Sequence, residues 1–276
     1  MKGIDVSQHQ GNINWNSVKS QVDFVILRLG WIGNKNNHTL DTKFEEYYAE
    51  CKRLNIPVGV YVYNYCVRED TARSGAEWTL KKLEGKTLEL PVFIDMEDKT
   101  GLPLGKDLNT NMCIAFNTVI ENAGLKSGVY ANLNWFNNYL HKDILKQKYV
   151  SWIAHYGVSE DKYKGQYDIL QYTSGGTVNG IGGRVDMNIM YDDIIDDRKE
   201  KDEDKGGDEP VRVYQNGSTR EDIFSDTSCT NKIGSLDPRE RCDCFGIFNN
   251  RAMVRYRVNG TNNYKIGFAR WIGGVK

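Results

Sequence analysis

No stretch of this 276-residue chain approaches the ~20 consecutive apolar residues of a membrane-spanning helix, which argues against membrane insertion. The opening MKGIDVSQHQ runs straight into a strand-like pattern and lacks the apolar core of a secretory signal peptide. Excess charge is missing too. With 36 basic and 37 acidic residues the net charge is −1, so no overall field favours nucleic acid or a membrane surface. Histidine is scarce: His9, His38, His141 and His155 lie far apart, with no HExxH or related spacing, so neither a metal nor a cofactor is expected. The six cysteines are scattered through a long chain, which fits reduced thiols better than a disulfide framework. Cys242 and Cys244 have no second pair with which to hold zinc, and their alternation puts both on one strand face.

What is abundant is aromatic: 16 Tyr and 6 Trp, whose flat faces suit sugars or bases and equally suit a core. Charge, balanced overall, is distributed unevenly. Residues 192–210, DDIIDDRKEKDEDKGGDEP, hold ten acids and four bases, whereas residues 211–276 hold eleven Lys and Arg against six Asp and Glu. A charged run that contains Gly and Pro but no aromatic residue cannot bury a core and reads as a linker. The expected organisation is a first domain over 1–192, a linker over 193–210 and a second domain over 211–276.

Short apolar runs alternate with helical patterns through the first domain. Strands are expected at 2–7, 23–30, 57–65, 90–97, 126–132, 149–156, 167–173 and 184–190. Between the early ones, Phe44, Tyr47, Tyr48 and Cys51 recur at i, i+3, i+4 and i+7, the mark of an amphipathic helix over 41–55. Two further helices are expected over 70–85, with Asp70 as N-cap and Gly85 at the end, and over 108–124, closing on Gly124. Strands separated by helices pair in parallel through right-handed crossovers. Eight strands with the last three close together point to an α/β, TIM-like barrel whose final crossovers have lost their helices, and in such barrels the working residues sit at the C-terminal strand ends.

That rule selects acids. Asp5 ends the first strand, Asp95 and Glu97 end the fourth in FIDMED, and Asp186 lies near the start of the eighth-strand run. Asp95 and Glu97 are two residues apart, so they share a strand face at about 6.6 Å along the strand. Like charges at that distance in a partly desolvated mouth drive their pKa values apart, leaving one protonated and one ionised. Glycosidic bond cleavage uses such a pair. The spacing falls between the ~5–5.5 Å of a direct nucleophile and the ~6.5–9.5 Å of a water-activating base, and so leaves the stereochemistry open. Tyr61, Tyr63 and Tyr65 alternate onto one face of the third strand, while Tyr130, Trp135 and Trp152 lie near other strand ends.

GIDVSQHQGNINW (3–15), IPVGVYVYNY (56–65), FIDMED (93–98), GVYAN (128–132), WIAHYG (152–157) and LQYTSGGTVNGIGGRVDMNIM (170–190) resemble glycoside hydrolase family 25, the Chalaropsis-type lysozymes common among phage endolysins. The resemblance spans the first domain in order and implies a barrel of eight strands and five helices that cleaves the bond after N-acetylmuramic acid in peptidoglycan. It places Glu97 on the general acid, Asp95 on its partner carboxylate, and Asp5 and Asp186 on the remaining acids of the cleft. Tyr63, Tyr65, Tyr130, Trp152, Tyr156 and Gln171 are the expected sugar contacts, although YVYNY departs from the Tyr-His-Phe form of many members. The 2-acetamido group of muramic acid can itself attack the anomeric carbon, and the expected task of Asp95 is to orient it.

The second domain reads as short strands broken by NG, DP and NGTNN turns, with AMVRYRV (252–258) and YKIGFARWIG (264–273) as a hairpin. It resembles, more softly, the Src-homology-3-like wall-binding domains of clostridial phage endolysins. Its positive balance suits an anionic wall polymer, and no arginine–aromatic motif favours nucleic acid. The expectation is a peptidoglycan-degrading endolysin, made in the host bacterial cytoplasm and acting on the wall after release. A catalytically dead carbohydrate-binding barrel and a glycosidase for another β-linked polymer are the competing readings.

Overall fold

Two compact units, Met1–Glu200 and Lys201–Lys276, make up the chain. The computed structural model describes residues 1–191, 194–195, 212–224, 229, 232–248, 251–257 and 264–275. Apart from Ile194 and Ile195, the segment expected to be the linker, 193–210, lies outside the described residues. Among the described residues no helix is long and apolar enough to cross a membrane.

The first unit is built on β1 (Lys2–Val6), β2 (Phe24–Ile32), β3 (Thr39–Leu40), β4 (Val58–Asn64), β5 (Val92–Asp95), β6 (Ser127–Asn132), β7 (Val150–Ala154), β8 (Ile169–Gly176) and β9 (Val185–Met190). Their order in the sheet is β1-β9-β8-β7-β6-β5-β4-β2-β3, and pairing of β1 with β2 closes eight of them into a barrel, with the two-residue β3 on the outside of β2. Five crossovers carry helix: α1 (Trp15–Val18), α2 (Phe44–Arg53), α3 (Glu69–Lys82), α4 (Gly105–Asn122), and α5 (Leu133–Asn138) with α6 (Lys142–Lys148) in succession before β7. The connections β7–β8 and β8–β9 have none among the described residues. The eight-stranded barrel therefore stands as expected; the five helices become six segments because one crossover is split.

Two local readings change. Asp70 does not cap α3: Arg68 occupies the N-cap, and Glu69 and Asp70 both lie in the first turn, where carboxylates complement the exposed N–H groups and the helix dipole. Nor is the last strand parallel. β9 runs antiparallel to both β1 and β8, since its connection from β8 is too short for a crossover. That reversal brings the beginning of β9, not its end, to the face where the other strands finish.

Period-two alternation fills the interior. Phe24 and Ile26 of β2, Phe93 of β5, Tyr130 of β6, Trp152 of β7, Ile169 of β8 and Met190 of β9 form one buried cluster. Trp152 is its hub, with the rings of Tyr130, Phe93 and Tyr61 edge-on at 4.5, 5.2 and 6.1 Å. Rings of this size fit because glycine stands beside them. Gly128, directly across from Phe93 in the β5–β6 register, has no room for a Cβ: one would strike the Phe93 ring and lie 2.7 Å from the carbonyl oxygen of Val150.

The second unit is a six-stranded antiparallel sheet of β10 (Arg212–Gln215), β11 (Glu221–Phe224), β12 (Lys232–Leu236), β13 (Arg241–Phe248), β14 (Arg251–Arg257) and β15 (Tyr264–Ala269), in the order β10-β13-β14-β15-β11-β12. The expected hairpin is β14–β15, paired from Ala252 with Ala269 to Arg257 with Tyr264. Tyr214, Ile223, Leu236, Val254 and Tyr256 form its core, joined on one side by Cys242 and Cys244. It is a small all-β domain.

Gly128→Ala should destabilise the barrel by about 1–3 kcal/mol, since the backbone carbonyl at Val150 cannot swing aside as a flexible side chain would. Denaturant unfolding of the purified chain measures this; an unchanged midpoint would mean that the interior is looser than this geometry.

Candidate active site

The four acids singled out by sequence meet at one mouth of the barrel. Asp5 is the fourth residue of β1 and sits across from Asp186 of the antiparallel β9. Asp95 closes β5, flanked in register by Tyr63 of β4 and Tyr130 of β6. Glu97 lies two residues beyond, after Met96 has turned its own side chain into the buried wall and donated its N–H to Tyr130 at 2.9 Å. Asp5 and Asp95 are buried, Asp186 is half-buried and Glu97 is open to solvent.

Asp5 is held from two sides. Its Oδ2 accepts from Gln171 Nε2 and from Asn188 Nδ2, both at 2.8 Å. The direction of these bonds is fixed by the groups behind them. The Trp152 indole can only donate, and it gives its N–H to Asn188 Oδ1 at 2.8 Å. The hydroxyls of Tyr130 and Tyr156 reach Gln171 Oε1 at 2.9 and 2.8 Å. Each amide thus turns its nitrogen to Asp5. Burial, together with the neighbouring Asp186, raises the Asp5 pKa well above the usual carboxylate range against these two donors. Asp186, directly across from Asp5 in register, is raised as well, by burial first and against the pull of Asp5.

Burial also raises Asp95 well above its ordinary value, reinforced by Glu97 and Asp5 and opposed by the Arg28 guanidinium. Glu97 is raised by partial desolvation at the mouth, then by Asp186 and Asp98. Both members of the Asp95–Glu97 pair are therefore pushed up in the free protein, with the buried Asp95 affected more strongly. Asp95 Oδ1 is buried without a hydrogen-bond partner, an acceptor aimed at nothing in the protein.

The expected sugar contacts divide by depth. Tyr65 and Tyr156 are 41% and 49% exposed. Tyr63 is half-buried and donates its hydroxyl to Asp98 at 3.2 Å, with its ring 4.8 Å from that of Tyr65. Trp152, Tyr130 and Gln171 lie beneath, buried and committed to the Asp5 network. Trp135 is buried in α5 against Gly101. Sequence reading missed Arg28, Asp41 and Asn188. Arg28 is a charge inside the apolar run FVILRLGWI, and Asn188 follows Asp186 at period two, so both carried a signal. Arg28 Nε donates to the buried Asp41 at 2.7 Å, and Asp41 also accepts from the backbone of Gln8 and Lys43. Among the described residues no three His, Cys, Asp or Glu side chains are placed to hold a metal ion.

Residues 4–181 match the family described as Glycosyl hydrolases family 25. The autolytic lysozyme of Clostridium acetobutylicum is 28% identical over 217 residues, covering 78% of this chain and 64% of that protein. Among solved structures, the modular autolysin LytC of Streptococcus pneumoniae in complex with a synthetic peptidoglycan ligand superposes with a TM-score of 0.61 at 28% identity, over 69% of this chain and 46% of that one. The catalytic domain of endolysin ply40, from bacteriophage P40 of Listeria monocytogenes, gives a TM-score of 0.59 at 27% identity, over 70% of this chain and 94% of that one. The chain thus spans less than two thirds of the autolytic lysozyme and about half of LytC.

The displaced pKa of Asp5 has a consequence for stability. Below the ordinary carboxylate range both folded and unfolded forms hold the proton and burial costs nothing. As pH rises the unfolded carboxyl ionises first, so stability falls until the folded pKa is reached and the penalty then stays. Asp5→Asn mimics the protonated acid, keeping an acceptor for both amides and a donor for Asp186. It should raise stability at pH 7 by about 1–3 kcal/mol and by nothing near pH 3. Thermal melts across that range test the sign; equal stability of the two proteins at pH 7 would contradict a buried, proton-holding Asp5.

Proposed function

The chain belongs to family 25 of the glycosyl hydrolases, and on that premise we propose that its barrel hydrolyses the β-1,4 bond between N-acetylmuramic acid and N-acetylglucosamine in peptidoglycan. The observation that carries this reading is the convergence of a solvent-open Glu97 with a buried Asp95 whose Oδ1 lacks a partner. The peptidoglycan ligand of LytC supports it from the side of the relatives.

Glu97 is the general acid. Its raised pKa keeps a proton available above the usual carboxylate range, and its exposure lets that proton reach the leaving oxygen. As the bond from the anomeric carbon to that oxygen breaks, the acetamido carbonyl oxygen of muramic acid attacks the same carbon from the opposite face, forming a cyclic oxazolinium. The Asp95 carboxylate accepts the acetamido N–H, orients the carbonyl for attack and stabilises the positive charge that develops on the ring. The Glu97 carboxylate then takes a proton from water, whose oxygen opens the ring from the original side, so configuration is retained. Asp5 and Asp186 hold the sugar and tune the pair, Asp186 half-buried at the mouth and Asp5 buried behind it.

The second unit, with its surplus of basic residues, is a Src-homology-3-like targeting domain for an anionic wall polymer. Together the two units form an endolysin that lyses its bacterial host. The likeness to the ply40 catalytic domain supports that role.

Glu97→Gln should keep the fold and lower wall hydrolysis about 10²–10⁴-fold. Mass spectrometry of fragments released from clostridial walls should find N-acetylmuramic acid at the new reducing ends for the unaltered chain. Near-normal lysis by the variant would remove Glu97 from the acid's role, and an α-anomer appearing first by NMR would remove the acetamido route. Residues 211–276 fused to a fluorescent protein should coat susceptible cells without lysing them. A fusion that stays in the supernatant at low salt would remove the targeting role.

A further inference from the structure

The second unit carries an open cavity of its own, about 520 Å³, lined by Arg220, Glu221, Asp222, Phe224, Arg270 and Trp271 among others. Both of its walls are tied down. On one side the connection from β10 to β11 is pinned by the buried Asn216, whose Nδ2 donates to the carbonyls of Thr219 at 3.1 Å and Leu236 at 3.3 Å. On the other, the segment after β15 is bonded back to the sheet. Trp271 gives its N–H to Glu221 Oε1 at 2.9 Å, and the Gly274 carbonyl accepts from the Gln215 N–H at 2.9 Å. The Tyr214 hydroxyl donates to the other oxygen of Glu221. The Trp271 indole therefore stands 47% exposed on a fixed backbone, edge-on to the Tyr214 ring at 6.3 Å. Gly273 lies so close beside it that a Cβ there would come within 2.8 Å of the ring.

The charges around the cavity are not matched one to one. Glu221 has both oxygens bonded within the domain, and Asp222 is paired with Lys232 at 2.7 Å. Arg220 gives Nε to the Ser235 hydroxyl at 2.9 Å and stands 3.6 Å from the exposed Asp237, where solvent screens most of the attraction. Arg270 has no carboxylate partner among the described residues. It is held instead by the Phe224 ring, 4.5 Å from its guanidinium carbon, and by the Cys229 carbonyl, to which Nη2 donates at 3.0 Å. Those contacts orient the guanidinium without neutralising it, and they use one of its five N–H groups. A planar fork held beside an exposed indole suits a ligand that joins an anion to an apolar face. A phosphodiester between sugars or polyols has that character. Because the cavity is open, an internal unit of such a polymer can enter it without a free chain end. The surplus of basic residues over 211–276, eleven against six, favours the same sign of ligand at longer range. From this geometry we infer that the cavity binds a phosphate-bearing unit of an anionic wall polymer, with Arg270 on the phosphate and Trp271 against the sugar or polyol. The inference rests on the targeting reading of the second unit, to which it gives a site.

The full chain carrying Glu97→Gln, so that walls persist, is the parent for a sedimentation assay with clostridial walls. It is compared with the same chain carrying in addition Trp271→Ala, Trp271→Phe, Arg270→Gln or Arg270→Lys, each checked by thermal melts. Trp271→Ala keeps the backbone N–H that Glu221 accepts, so it tests the site even where Arg270→Gln melts early. The walls are used whole, after hydrofluoric acid has removed phosphate polymers, and after an amidase has removed stem peptides. Trp271→Ala and Arg270→Gln should each weaken binding to whole walls about tenfold, and Trp271→Phe and Arg270→Lys should recover much of it. Binding by the parent should vanish with the phosphate polymers, persist without stem peptides and weaken as salt rises. Equal binding by parent and variants overturns the site, and binding that survives loss of phosphate or follows the stem peptides overturns the ligand. If the parent binds no walls at all, the targeting reading fails by itself. Titration with the phosphate polymer released from those walls then decides the cavity alone: it should shift the tryptophan emission of the parent and much less that of Trp271→Phe, and equal shifts would overturn the proposal.

Discussion

The mouth of this barrel depends on a single oxygen, Oδ2 of Asp5, accepting two amide N–H groups whose own acceptors are already taken. Trp152 and Asn188 on one side, and Tyr130, Tyr156 and Gln171 on the other, make the network that supplies them. Because the indole cannot accept, Asn188 cannot flip without leaving a buried group unpaired, at a cost of about 1–3 kcal/mol. Asp5 is thereby held in one place beside Asp186, its partner across the β1–β9 register.

The same strands that build the core deliver this chemistry, one residue pair higher. Phe24 and Ile26 lead to Arg28 on β2, Phe93 leads to Asp95 on β5, and Gly3 leads to Asp5 on β1. Each step of two residues, about 6.6 Å, passes from the packed interior to charged groups. The aromatic floor is thus part of the electrostatics. It excludes water from below, which is the first cause of the raised pKa values of Asp5 and Asp95, and it carries the indole that orients Asn188.

Much of this was legible in the residues. All eight barrel strands and the helices centred on Phe44–Arg53, Glu69–Lys82 and Gly105–Asn122 follow from periodicity, because long crossovers leave parallel strands as continuous apolar runs. The acids were legible because carboxylates at the ends of apolar runs are rarely buried without partners. Less legible was depth. Trp152 and Tyr156 were both expected sugar contacts, yet one is the floor and the other is half in solvent, a difference set by barrel closure and not by local pattern. The direction of β9 was hidden for a similar reason. Alternation reads the same in a parallel and an antiparallel strand, and only the short connection from β8 fixes which end reaches the mouth.

The bulge in β2 carries that limit furthest. Read as a plain strand, FVILRLGWI assigns Arg28 and Trp31 to opposite faces, and an arginine inside it looks like an interruption. With one residue skipped they share a face, and the guanidinium whose charge opposes the raised pKa of Asp95 sits 5.9 Å from the Trp31 ring centre. Asp41 anchors that guanidinium and is itself fixed by the backbone of Gln8 and Lys43. The charge that tempers the buried acid is thus set in place by an ion pair inside what reads as an apolar strand.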